Sequence, residues 1–193
     1  PRAVSLNLEL VARARREGSA RSLALALNNL GGAHEMAGDD EQARHAYEES
    51  AALSRQIANK PLLAVTLCNL GFVIWATAPT DALTNFRESL ELSREVEDPR
   101  TIAYCLEGAA RIFLERGHET HAAGLLGAAS EIRRRTGSVS SPGRRATTAA
   151  FEARCRAALS TDTFARAWDE GAALDASSAA DWALRLGDDT QVS

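Results

Sequence analysis

The sequence is poor in several features whose absence limits what the chain can be. Among its 193 residues there are one lysine, one methionine and few aromatic residues, and the net charge is only −4. No apolar run approaches the roughly 18 residues that a membrane-spanning helix needs. Val, Ile and Thr form no alternating runs of the kind that indicates β-strands. No large basic field is present to hold a phosphate backbone. We therefore predict no membrane span, no β-sheet and no direct contact with nucleic acid.

Motifs that carry catalysis are also missing. The sequence has no GxGxxG, GxSxG or HExxH motif and no GxxxxGK[ST] loop, and its single lysine, Lys60, lies in IANKPLL. His118 and His121 are three residues apart, whereas the two-histidine helix motif of zinc enzymes needs a spacing of four. These two, like His34 and His45, are interpreted as surface or structural residues. We predict no catalytic residue, no metal ligand and no cofactor, and we predict that the chain is not an enzyme.

Three cysteines, Cys68, Cys105 and Cys155, are widely spaced and lie among apolar residues. An odd number with no CxxC pair is typical of reduced cysteines in the core of a cytoplasmic protein, not of a disulfide framework. The sequence therefore predicts a cytoplasmic location.

A group of basic residues lies on both sides of the segment GSVSSPG. It consists of Arg133, Arg134, Arg135, Arg144 and Arg145. Such a cluster could bind an anion or a nucleic-acid phosphate. We favour solvated cations at a helix end, where positive charge is stabilising, because no aromatic residues are interleaved and the net charge is acidic.

What the sequence does contain is an internal repeat. Three segments align without gaps: ARREGSARSLALALNNLG (14–31), SRQIANKPLLAVTLCNLG (54–71) and SREVEDPRTIAYCLEGAA (93–110). The following halves align as well, so the period is about forty residues, which indicates a repeat architecture. Apolar residues within each half recur at spacings of three and four, as in amphipathic helices. Gly38 and Gly117 mark breaks between the halves, and Pro79 opens the second half of the middle repeat.

The repeated positions resemble those of tetratricopeptide repeats, in which small residues let two helices of a hairpin approach and large ones fill the space between hairpins. The positions that carry the resemblance are Leu27, Leu30, Gly31, Gly38, Ala43, Tyr47 and Ser50, then Leu67, Leu70, Gly71, Ala82, Phe86 and Ser89, then Leu106, Ala110, Gly117, Ala122, Leu126 and Ala129. The resemblance implies an all-α superhelix of about three helical hairpins with a C-terminal helical tail.

The expected segments follow from this alignment. Residues 1–18 look like a lone second helix whose partner precedes Pro1, so that its apolar face would lack a cover. The remaining segments are three repeats (19–58, 59–97, 98–136) and a linker with a three-helix cap (137–193).

The tail adds a second resemblance. Its order, LLGAASEIRRRTG, then FEARCRAAL, FARAWDEGAAL and AADWAL, is similar to the C-terminal end of bacterial signal-transduction ATPases of the STAND type. These are transcriptional regulators that join a DNA-binding or cyclase domain to a nucleotide-binding domain and a tetratricopeptide region. The resemblance implies that this chain is the interaction or sensing arm of such a regulator.

A candidate binding groove follows from the tetratricopeptide resemblance, because the first helices of such repeats line the concave face. The residues placed there are Asn28, Glu35, Met36, Cys68, Phe72, Trp75, Tyr104, Glu107, Arg111 and Glu115. Phe72 and Trp75 would anchor a partner helix or peptide, and the charged residues of the third repeat would orient it. The alternative is that the tail helix with Phe164 and Trp168, or a neighbouring repeat, fills the groove.

The predicted function is recognition of a protein, a peptide or a small-molecule effector within a transcriptional regulator. A second candidate is self-association, in which the apolar face of the first helix pairs with its copy in a homodimer.

Overall fold

The structure, a computed structural model, describes residues 2–189 of the chain, with side chains described for residues 2–186. Residues 1 and 190–193, which belong to the first and last expected segments, lie outside the described residues. The described part forms ten α-helices and no strand, which confirms the prediction of an all-α fold. The helices are α1 (Arg2–Glu17), α2 (Ala20–Ala37), α3 (Asp40–Gln56), α4 (Lys60–Ile74), α5 (Pro79–Glu95), α6 (Pro99–Glu115), α7 (Glu119–Thr136), α8 (Pro142–Ala158), α9 (Thr161–Ala172) and α10 (Ala176–Asp189).

Local sequence signals explain where these helices begin and end. The side chains of Ser19, Asn59 and Asp98 each accept a hydrogen bond from a backbone N–H in the first turn of the next helix, and so satisfy donors that have no partner inside a helix. Gly38 and Gly117 end their helices at a φ of 77°, a left-handed conformation that glycine adopts without a steric penalty. The two predicted breaks are therefore confirmed.

The contacts divide the chain into two compact units, unit 1 (Pro1–Leu92) and unit 2 (Ser93–Ser193). The helix pairs α2 with α3, α4 with α5, and α6 with α7 fall inside the three expected repeat ranges, and α8 to α10 fall inside the expected tail.

In unit 1 the two hairpins share the same internal contacts. A Cβ atom at Gly31 would lie 2.6 Å from the Tyr47 ring, and one at Gly71 would lie 2.7 Å from the Phe86 ring. Only a residue without a side chain lets an aromatic ring pack flat on the first helix at these positions.

Serine side chains repeat in the same way. Ser50 Oγ donates to the carbonyl oxygen of Ala24, and Ser89 Oγ donates to that of Ala64, both at 2.7 Å. Each bond joins the second helix of a hairpin to its first helix. The period of about forty therefore describes side-chain chemistry as well as helix positions.

Unit 2 is built around α7, which packs against α6 on one side and against the tail helix α9 on another. The α7–α9 crossing depends on glycine: a methyl group at Gly127 would overlap the backbone of Trp168, and one at Gly171 would overlap the backbone of Gly124. Sequence reasoning missed this contact. The available signal was the pair of glycines in GLLG (124–127), which is otherwise costly inside a helix.

Candidate binding surfaces

The aromatic residue expected to anchor a partner in unit 1, Phe72, is largely covered by the chain. Phe72 is 8% exposed, and its ring meets that of Phe86 edge-on with centroids 5.2 Å apart. Cys68 is also buried, and Trp75 is half-buried. The helix α4 is apolar nearly all round because most of its residues are covered. At Phe72 the cover is the second helix of its own hairpin.

Two polar residues of the expected groove fasten the helices of unit 1 together. Asn28 Oδ1 accepts hydrogen bonds from Thr66 Oγ1 at 3.1 Å and from Asn69 Nδ2 at 3.4 Å. Glu35 accepts a hydrogen bond from the hydroxyl of Tyr47 at 3.1 Å. Both Asn28 and Glu35 are half-buried, so they contribute to the packing of the hairpins as well as to the surface.

The two exposed large apolar residues of α2, Leu25 and Met36, lie on one line with Asn29 and Gly32 between them. We call the line Leu25, Asn29, Gly32 and Met36 the α2 stripe. Their spacings of four, three and four residues put them on one face of a helix. Leu25 is 51% exposed and Met36 is 88% exposed. Sequence reasoning named Met36 but missed Leu25, although the spacing from Leu25 to Met36 was a signal for it.

In unit 2 the four expected groove residues of α6 contact other parts of the same unit. Glu107 is buried and pairs with Arg133 through two hydrogen bonds of 2.7 and 3.0 Å. The guanidinium of Arg133 also lies over the ring of Tyr104, 4.1 Å from its centroid. A cation above an aromatic face is attractive, so this pair and this ring stabilise each other.

Arg111 and Glu115 meet the tail. Arg111 is buried, and its guanidinium lies 5.2 Å from the ring centroid of Phe151 on α8. Glu115 accepts a hydrogen bond of 2.6 Å from Arg154, also on α8, and this bond lowers the pKa of Glu115 below its usual value. The helix that covers this face is therefore α8, with Phe151 and Arg154, whereas the sequence-based alternative named Phe164 and Trp168.

The arginine cluster divides into two environments. Arg134 and Arg135 are exposed and donate to Glu131, and these hydrogen bonds lower the pKa of Glu131 to about 2. Arg133 instead lies in the ion pair with Glu107, with only 13% of its side chain exposed. The interpretation of all five arginines as solvated cations is therefore wrong for Arg133, because a carboxylate and an aromatic face hold it inside unit 2.

The cysteines and histidines are placed in packed surroundings. All three cysteines are buried and free, and burial raises the pKa of the Cys155 thiol to about 11. His118 and His121 lie beside the ring of Phe113, with centroids 6.1 and 6.0 Å from it. Among the side chains of residues 2–186 no group of three or more His, Cys, Asp and Glu is arranged to hold a metal ion. No helix within residues 2–189 combines the length and the apolar character needed to cross a membrane.

These observations define the chain as an all-α protein whose consecutive helices pack in pairs. Comparison with protein-family models, with curated proteins and with solved structures found no match.

Proposed function

We propose that the chain is a protein-interaction module that binds an amphipathic helix along the α2 stripe. The observation that carries the proposal is the exposure of Leu25 and Met36 on one face of α2. Between them lies Gly32, which has no side chain and so allows the backbone of a second helix to approach. Apolar residues at spacings of three and four are what a helix docked in a groove engages.

Charges at the two ends of the stripe specify the partner further. Arg21 lies one turn before Leu25, and Asp40 follows Met36 at the start of α3. Within residues 2–186 neither side chain makes an ion pair or a hydrogen bond. A partner helix with apolar residues at spacings of three and four, an acidic residue near Arg21 and a basic residue near Asp40 would satisfy both. Such rim charges fix orientation and raise the association rate more than they raise affinity.

The setting we propose is a cytoplasmic bacterial transcriptional regulator of the signal-transduction ATPase type, with this chain as its tetratricopeptide-like arm. The repeat of about forty residues and its Gly–aromatic contacts support this setting. Stacked hairpins suit recognition because each contacts only its neighbours and leaves a continuous surface for a partner. In this proposal the chain has no catalytic role.

The test is a binding measurement with a designed amphipathic helix that carries the charges described above. Leu25→Glu with Met36→Glu should abolish its binding, measured by fluorescence anisotropy, since two buried apolar contacts become charged. Leu8→Glu, at an equally exposed leucine of α1 (50% exposed), is the matched control and should leave affinity unchanged. If the double variant binds the peptide as tightly as the unaltered chain does, the α2 stripe is not the binding surface.

The design of the peptide can be tested as well. A peptide with its terminal charges exchanged should bind more weakly and associate more slowly at low salt, because it would bring like charges next to Arg21 and Asp40. Equal binding of both peptides would contradict the assigned orientation.

A second candidate function, self-association, is supported by α1. Leu6 and Leu10 are 53% and 49% exposed. By the repeat alignment they correspond to Ala46 and Ser50 of α3, both of which are buried. The face of α1 that a hairpin partner would cover is therefore apolar and open, as a homodimer interface requires.

A further inference from the structure

Unit 2 contains a cavity at which the sequence predicted no binding site. It has a volume of about 360 Å³ and lies beside the link between α7 and α8. This volume falls at the lower end of the range of about 300–1,000 Å³ that is common for small-molecule sites. Its apolar lining includes Leu126, Val139, Ala149 and Trp168. The cavity can therefore hold the hydrocarbon or aromatic part of a small ligand.

One polar group in the lining of this cavity has no hydrogen-bond partner within the described part of the chain. Ser140 lines the cavity and is 7% exposed. Its hydroxyl makes no hydrogen bond within the part of the chain that the structure describes. The hydroxyl is not one of the buried atoms that lack a partner, so it is open to the cavity and available to an atom of a ligand.

One positively charged side chain in the lining of the cavity has no counter-charge among the side chains that the structure describes. Four charged residues line it: Glu107, Arg133, Arg145 and Glu152. Glu107 pairs with Arg133, and Glu152 pairs with Arg156 at 2.8 Å. Within the described side chains the guanidinium of Arg145 makes no ion pair and no hydrogen bond. One free positive charge calls for a monoanion, because a dianionic phosphate would need more than one cation to balance it.

From these observations we infer that the cavity binds a small carboxylate with an apolar body. Its carboxylate oxygens accept hydrogen bonds from the guanidinium of Arg145 and the hydroxyl of Ser140. Its hydrocarbon or aromatic part lies against Leu126, Ala149 and Trp168. This site is separate from the α2 stripe, and its test does not depend on the proposed protein partner.

Octanoate and its uncharged counterpart 1-octanol are suitable probes, because they share a chain and differ at the polar end. Isothermal titration calorimetry with the full chain should show that octanoate binds and that octanol binds more weakly. Arg145→Gln should lower octanoate affinity roughly 10- to 100-fold, since a hydrogen bond to a charged group is worth about 1.5–3 kcal/mol. The same variant should leave octanol binding unchanged, because octanol makes no ion pair.

Two further variants separate the cavity from the surface of the unit. Arg166→Gln removes an exposed arginine of α9 that does not line the cavity, and it should not alter octanoate binding. Ala149→Phe should fill the cavity and abolish the binding of both probes. Since Ala149 is exposed, we expect the Ala149→Phe variant to have the same helix content as the unaltered chain, measured by circular dichroism. If Ala149→Phe fails to fold, the octanoate affinity of Arg145→Gln tests the inference by itself.

Three outcomes would overturn the inference: no binding of octanoate, equal affinity for octanoate and octanol, or octanoate binding that survives Arg145→Gln undiminished. In each case the free cation would not be the recognition element of the cavity.

Discussion

Glu107 and Arg133 form an ion pair that is shielded from water on nearly every side. Only 5% of the Glu107 side chain and 13% of the Arg133 side chain are exposed. Removing two charges from water is costly, and their attraction offsets this cost only with good geometry and further contacts. Here both guanidinium–carboxylate hydrogen bonds form, and the Tyr104 ring covers the cation. The pair is therefore sensitive to the loss of either partner.

We predict that Glu107→Gln lowers the free energy of unfolding by about 3 kcal/mol, because Arg133 would remain buried without a counter-charge. Urea denaturation followed by circular dichroism at neutral pH measures this change. Glu131→Gln is the matched control, since Glu131 pairs with two exposed arginines, Arg134 and Arg135, and an ion pair with a solvated cation contributes little. Equal effects of the two substitutions would show that burial of the Glu107 pair is not what matters.

Sequence reasoning found Glu107 as a candidate residue but gave it a different environment. The register of α6 placed Tyr104, Glu107, Arg111 and Glu115 on one helix face, and all four contact residues of α7 or α8 within unit 2. What the sequence could not provide was the position of α8, because its approach depends on tertiary contacts of Phe151 rather than on a periodic pattern. Whether this face also takes part in binding stays a prediction.

At the scale of the helices, the turns repeat as regularly as the helices do. Gly18, Ala58, Glu97 and Gly137 follow successive second helices at intervals of 40, 39 and 40 residues, and all four have positive φ, between 53° and 68°. Two of these turns use glycine, which adopts this conformation freely, and two use residues with a Cβ atom, for which it is strained. The turn geometry is thus a property of the repeat that the local residue does not always favour.

We predict that Ala58→Gly stabilises the chain by about 0.5–1 kcal/mol. Relief of the left-handed strain is worth about 1–2 kcal/mol, and the greater freedom of glycine in the unfolded chain offsets part of it. Thermal unfolding followed by circular dichroism should show a higher Tm. Ala52→Gly makes the same change at an exposed position inside α3, and it should instead destabilise by about 1 kcal/mol. A lower Tm for Ala58→Gly would contradict strain at this turn.

The elements themselves could be predicted because their signals are local. Pro79 indicated the start of α5, and Gly38 indicated the end of α2. The α7–α9 contact could not be predicted, because glycine inside a helix lowers helix propensity without naming the helix that will approach it. The cavity beside Ser140 could not be predicted either, because the residues that line it are distant from one another in the sequence.

At the scale of the whole molecule, different kinds of contact stabilise the interior of each of the two units. Unit 1 repeats one set of contacts in its hairpins, with a glycine under an aromatic ring and a serine hydroxyl on a helix carbonyl. Unit 2 relies on glycines where two helices cross and on a buried ion pair. The two proposed sites follow this division, with an exposed helix face in unit 1 and a cavity in unit 2.

In unit 1, one side of α1 carries exposed leucines. Val11 and Ala14 of α1 are buried, while Leu6 and Leu10 on another side of the helix are exposed. A second copy of the chain offers these leucines the same apolar face.

We therefore predict that the chain forms a homodimer through α1, and that size-exclusion chromatography with light scattering will show twice the monomer mass at high protein concentration. Leu6→Glu with Leu10→Glu should yield a monomer, because burying two carboxylates in an apolar interface is prohibitively costly. Leu25→Glu, on the α2 stripe, is the control and should leave the dimer intact. A wild-type chain that stays monomeric at high concentration, or a dimer that survives the double substitution, would rule out α1 as the interface. The exposed leucines would then require another occupant, and α1 would have no role in self-association.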